Sequence, residues 1–182
     1  FYSTVIQDWG ASLMLANECG DKAFTLVDLG HHLPNSNIEQ IVSILMLKGK
    51  LGGFHFNDSK YGDDDLSVGS LKPYQLFLIF CELVQGMKET DNGEISWMID
   101  ANHNLKEPME DLLQSITAIK ISFGKALLVD YKKLKAAQKI NDVSDCQAIL
   151  QDDYNMDVRS LVSESCYSLG GAIDPLEAYR SL

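Results

Sequence analysis

Three apolar runs of strand length, at residues 23–27, 51–56 and 95–99, are each followed by a longer segment with apolar residues at helical spacing. No other feature constrains the fold as much, because strands separated by helices pair in parallel through right-handed crossovers. A helical pattern precedes them, with Val5, Trp9, Leu13 and Ala16 on one face of residues 4–17 and Gly20 where that helix would stop. The second helix is expected to start in the Pro34-Asn35-Ser36-Asn37 cluster, with Ser36 as cap and Glu39 answering it, and to close at Gly49. Pro73 opens a third, carrying Leu76, Phe77, Phe80, Leu83 and Val84, and the turn residues Asp91-Asn92-Gly93 lead into the last strand. A final long helix is expected from Pro108 through Leu112, Leu113, Ile116, Ile119 and Ile121 toward Leu134.

The order predicts an α/β chain of three strand-helix units with a preceding helix over residues 1–142, then a helical extension over residues 143–182. All three predicted strands end in a potential metal ligand, at Asp28, His55 and Asp100. The carboxyl ends of parallel strands are where such sheets place their chemistry.

Composition narrows the class. At 182 residues and 46% hydrophobic, the chain can bury one sizeable core but falls short of the roughly 250 residues of an eight-stranded α/β barrel. A formal charge of -11 with no basic run argues against nucleic-acid and anionic-membrane partners. Cys19, Cys81, Cys146 and Cys166 are scattered with no CxxC pair, which fits reduced thiols in a cytoplasmic protein. No run reaches the roughly 18 apolar residues of a membrane span. The opening Phe1-Tyr2-Ser3-Thr4 carries neither an initiator Met nor a leader pattern, so the chain is expected to begin inside a longer protein.

The polar residues after the strands supply the candidate chemistry. Asp28-Leu29-Gly30-His31-His32 sets a carboxylate and an imidazole three residues apart, and His55-Phe56-Asn57-Asp58-Ser59-Lys60-Tyr61-Gly62-Asp63-Asp64-Asp65 concentrates donors beyond the second strand. Asp63 and Asp65 can face one cation if the segment is extended. Carboxylate and imidazole without thiolate suit Mn²⁺, Mg²⁺ or Co²⁺, with Zn²⁺ less favoured. Such an ion polarises a carbonyl and its neighbouring hydroxyl, as aldose-ketose interconversion requires, and equally activates water for hydrolysis. Plainer accounts exist for each residue: strand-end aspartates cap helices and turns, and a short acidic run is often solvated. Convergence at the same end of consecutive parallel strands favours ligation, with Asn57, Asp58, Lys60 and His103 in supporting roles.

The segments from His31 to Glu39, Gly53 to Leu66 and Met98 to Asn104, in that order, resemble the L-rhamnose isomerase family, in the broad-specificity branch of bacterial sugar isomerases. The similarity is strong from about Asp21 to Ile119 and looser to the C-terminus, including Gly170-Gly171-Ala172-Ile173-Asp174-Pro175. It implies a TIM-type (β/α)₈ barrel with two divalent ions, usually manganese, and L-rhamnose to L-rhamnulose interconversion by a cytosolic tetramer. Asp28, His55 and Asp100 would then help hold a structural ion, and His31, Asp63 and Asp65 the catalytic ion, with Asp100 also counted among the catalytic groups. The family's fourth ligand, a Glu on the preceding strand, would lie outside this chain.

On that reading the chain is the C-terminal part of the barrel plus a helical extension, its partners being a small sugar, the missing N-terminal half and further copies of itself. Two other readings stand beside it. One is an autonomous metal-binding or assembly module; the other is a metal-dependent hydrolase or epimerase on the same barrel class.

Overall fold

The computed structural model describes residues 5–62, 64–89, 94–101 and 105–182. In chain order the elements are α1 (Trp9–Glu18), β1 (Thr25–Asp28), α2 (Ile38–Leu47), β2 (Leu51–Phe56), α3 (Pro73–Glu89), β3 (Ser96–Ile99), α4 (Pro108–Leu128), α5 (Tyr131–Lys139), α6 (Val143–Asn155), α7 (Arg159–Ser168) and α8 (Pro175–Arg180). The strands form one parallel sheet in the order β1-β2-β3, as the alternation predicts. Among the described residues, no single helix is long and apolar enough to cross a membrane.

Three boundaries differ from the sequence expectation, each because a different side chain caps the helix. The first helix begins at Trp9, since the Asp8 carboxylate accepts a hydrogen bond from the Ala11 amide at 2.8 Å, and Val5 lies outside it, exposed. The second is capped by Asn37 rather than Ser36, with Asn37 Oδ1 accepting from the Gln40 amide at 2.8 Å. The long helix stops at Leu128 instead of running toward Leu134, because Val129 turns extended and Asp130 caps α5 through the Lys133 amide. Both α1 and α2 end at glycine as expected: Gly20 has φ +94 and Gly49 φ +61, which a residue with a Cβ seldom adopts.

The sheet has two unlike faces. Val27, Phe54 and Trp97 stand in register across the three strands on one of them, joined by Phe56 two residues further along β2. The Phe56 ring stacks on Trp97 at 5.7 Å and on Phe80 of α3 at 5.8 Å, and Phe80 meets Phe123 of α4 at 5.7 Å. Beneath lie Val42 and Leu45 of α2 with Phe77 and Leu83 of α3, all fully buried. Each such side chain contributes roughly 1.5–3 kcal/mol when removed from water. The opposite face carries Leu26, His55 and Met98, and there Leu26 is 43% and Met98 37% exposed. Gly53 permits the close pairing of β2 with β3, since a Cβ on it would come within 2.8 Å of the Ser96 carbonyl oxygen.

The fourth helix departs most from its apolar pattern. Its buried positions are Asp111, Ser115, Ser122 and Ala126, a small and polar stripe, whereas Leu112, Leu127 and Leu128 are exposed. Leu112 is therefore not the core residue its spacing suggests.

Candidate metal centre

Parallel register delivers the ligands. Asp28 pairs with His55 at the ends of β1 and β2, and Asp100 follows β3, its amide donating to the Phe56 carbonyl at 3.0 Å. The outcome is a cluster in which one donor atom from each of Asp28, His55 and Asp100 lies within 4.8 Å of the others. His55 Nδ1 stands 3.2 Å from Asp28 Oδ2 and 3.1 Å from Asp100 Oδ2. Asp28 is buried, His55 half-buried and Asp100 exposed, so the cluster opens toward solvent on one side.

The donor set fits a divalent cation. One imidazole nitrogen facing two carboxylate oxygens can share a single proton with only one of them, whereas a cation among the three satisfies all. Oxygen and nitrogen donors without sulfur suit Mn²⁺, Mg²⁺ or Co²⁺, and also accept Zn²⁺.

The other predicted ligands sort into three cases. His31 approaches the cluster, with Nε2 at 3.8 Å from Asp28 Oδ2 and its side chain half exposed. Asp65 is joined to Asp28 through the Asn57 side-chain amide, whose Nδ2 donates to Asp28 Oδ1 at 2.9 Å and to Asp65 Oδ1 at 3.3 Å. Its backbone sits at φ +45, left-handed and costly for a residue other than glycine. Asp63 and His103 lie outside the described residues.

Two neighbours prove structural. Asp58 is 4% exposed, and its Oδ2 accepts from the Leu71 and Lys72 amides at 2.8 and 2.9 Å, leading into α3, while Oδ1 accepts from the Ser59 amide. An antiparallel bridge to Leu66 closes the loop between them. The Lys60 ammonium lies over the Tyr61 ring at 5.0 Å, and its amide donates to Asp64.

A polar trio with Ser67 and Asp111 buried and Lys106 half-buried fixes the same loop from beyond Asp65. Lys106 Nζ donates to Asp111 Oδ1 at 2.9 Å and to Ser67 Oγ at 2.8 Å, Ser67 also hydrogen-bonds Asp111, and Ser115 Oγ accepts from the Val68 amide. These contacts tether the loop after β2 to the start of α4. The sequence does not reveal them because Ser67 and Val68 lie 39 to 47 positions from their partners. Burial pushes the His32 imidazole below its ordinary value, against the pull of Asp28.

Fold and donor set together define an α/β chain with a candidate divalent-cation centre at the carboxyl ends of parallel strands. No protein-family profile matches the chain. It is 49% identical, over all 182 residues, to a protein of Mesorhizobium japonicum named a probable sugar isomerase, and 48% identical to one of Rhizobium meliloti given the same description. The chain spans 42% of the length of each of these curated relatives.

Proposed function

We propose that this chain is the C-terminal part of a divalent-metal-dependent sugar isomerase that interconverts an aldose and a ketose, of the L-rhamnose to L-rhamnulose type. The observation that carries the reading is the Asp28, His55 and Asp100 cluster at the ends of three consecutive parallel strands, in a chain about half identical to proteins named sugar isomerases. Residues 1–142 then form the last strand-helix units of a (β/α)₈ barrel and residues 143–182 a helical extension. The remaining units would come from the portion of such a protein outside the match, and they would cover the sheet face on which Leu26 and Met98 are exposed. A cytoplasmic oligomer with manganese is the setting we assign to it.

In this reading Asp28, His55 and Asp100 would hold one ion, and His31, Asp63 and Asp65 would hold the second, catalytic one. The ions supply charge stabilisation at the carbonyl and adjacent hydroxyl oxygens of an open-chain sugar. The chain's own side chains orient that chemistry: Asn57 fixes the Asp28 carboxylate, and the Lys106, Asp111 and Ser67 trio fixes the loop that carries Asp65.

The test is to co-express this chain with the part of the M. japonicum relative outside the match and to assay the Mn²⁺-loaded product with L-rhamnose. Ketose formation, lost on Asp65→Asn, is expected. A folded, metal-loaded assembly that turns over no aldose would contradict the proposal.

A further inference from the structure

Asn57 is only 2% exposed, yet it lies between two carboxylates that the chain delivers from different elements. Both neighbours are acceptors, so only the NH₂ end of the amide can face them, and this settles its orientation on chemical grounds. The carbonyl end is held differently. Oδ1 is buried without a hydrogen-bond partner among the described residues, Asn57 lines a cavity of about 10 Å³ with Leu29, Asp58 and Lys72, and a Cβ on Gly30 would come within 3.1 Å of Oδ1.

Asp28 divides its oxygens accordingly. Oδ1 accepts from the Asn57 amide and the Gly30 backbone at 2.9 and 3.0 Å, leaving Oδ2 turned to His55 and His31. Asp65, in its left-handed backbone, is reached by the other hydrogen of the same NH₂ group. From this geometry we propose that Asn57 is a positioning residue that couples the two carboxylates, so that a cation ordering Asp28 also orders Asp65 and the loop before it. The proposal rests on the metal-centre reading above and deepens it. Its physical content is that one ion pays the ordering entropy of both ligands, which appears as coupling between the Asp28 cluster and the Asp65 loop.

The experiment compares wild type with Asn57→Leu, which keeps the shape and removes the donors. Mn²⁺ binding is measured by equilibrium dialysis, and deuterium exchange across residues 58–62 and 64–66 with and without Mn²⁺. In wild type, Mn²⁺ should slow exchange in this loop. Asn57→Leu should raise the half-saturating Mn²⁺ concentration by roughly 10–100-fold, as loss of a ligand's supporting partner does, and should abolish the slowing of exchange even at saturation. Asn57→Ser, too short to bridge both carboxylates, should behave alike and serves if the leucine variant does not fold. Variants that bind Mn²⁺ and slow exchange as wild type does would overturn the positioning role while leaving the metal centre intact. A wild-type chain that takes up no Mn²⁺ would instead overturn the reading on which the proposal rests.

Discussion

His55 Nδ1 lies 3.1 Å from Asp100 Oδ2, across the junction between β2 and the residue following β3. Neither residue is needed by the core, whose aromatic stack occupies the other face of the same strands. Asp58, only three positions from His55, is committed to three backbone amides. The two aspartates should therefore fail in different ways. Asp100→Ala should leave the metal-free unfolding midpoint nearly unchanged and remove Mn²⁺ binding, whereas Asp58→Ala should lower metal-free stability by about 2–4 kcal/mol. Urea titrations of both variants with and without Mn²⁺ check this, and equal destabilisation of the two metal-free proteins would refute it.

Lys50 closes the first turn of the fold. Its ammonium donates to the carbonyls of Ala16, Gly20 and Ala23 at 3.2, 2.8 and 3.0 Å, joining the end of α1 and the approach to β1 to the start of β2. Lys50→Met keeps the apolar stem and strips all three bonds. Stability should fall by about 2–3 kcal/mol, read as a lower urea midpoint at an unchanged slope.

Two glycines should respond differently to alanine. At Gly53 the new Cβ meets the Ser96 backbone at 2.8 Å, and at Gly86 it meets the Met46 Sδ and Cε at 2.5 Å. Backbone cannot yield without parting β2 from β3, while a thioether tip can swing aside. Gly53→Ala should cost about 2–3 kcal/mol and weaken metal binding, and Gly86→Ala less than half of that, from overpacking alone. Thermal melts and Mn²⁺ dialysis on the pair decide it.

Burial pushes the Glu82 carboxyl above the ordinary range, reinforced by Glu39 and Glu89 and opposed by a hydrogen bond from Ser43. The folded state therefore holds this proton more tightly than the unfolded chain. Stability from it is present below the unfolded value, near pH 4, and is lost as pH rises through the raised folded value. Glu82→Gln should be more stable than wild type at pH 7–8 and converge with it toward pH 4; a stability difference independent of pH would count against this account.

Burial also pushes the Cys81 thiol up to about 12, while Cys19 is exposed and all four thiols are free. At pH 8 an aromatic disulfide reagent should label Cys19 promptly and Cys81 only on unfolding, since the thiolate is the reacting form. Mass spectrometry of peptides from timed labelling gives the answer, and rapid labelling of Cys81 in the native protein would be the contrary result.

Much of the candidate site was legible because it depends on position along strands. Apolar runs ending at Asp28, His55 and Asp100 give the parallel order and the converging ends without any knowledge of tertiary contacts. Asn57 was less legible, since an asparagine after a strand is an ordinary turn residue and its partners lie 29 and 8 positions away. The break after Leu128 carries no Gly or Pro, and the Asp130 cap behind it resembles any surface aspartate. Ligand-bearing strand ends are local and periodic; the side chains that orient them are chosen by long-range packing.

The most direct measurement of the central claim is Mn²⁺ binding by the chain with and without its strand-end donors. Wild type should bind Mn²⁺ saturably, and the double variant His55→Ala, Asp100→Ala should lose that binding by far more than the roughly 10–100-fold expected of a supporting residue, with its circular dichroism unchanged. Equal binding by the two proteins, or none by a folded wild type, would contradict the assignment of Asp28, His55 and Asp100 as a metal centre.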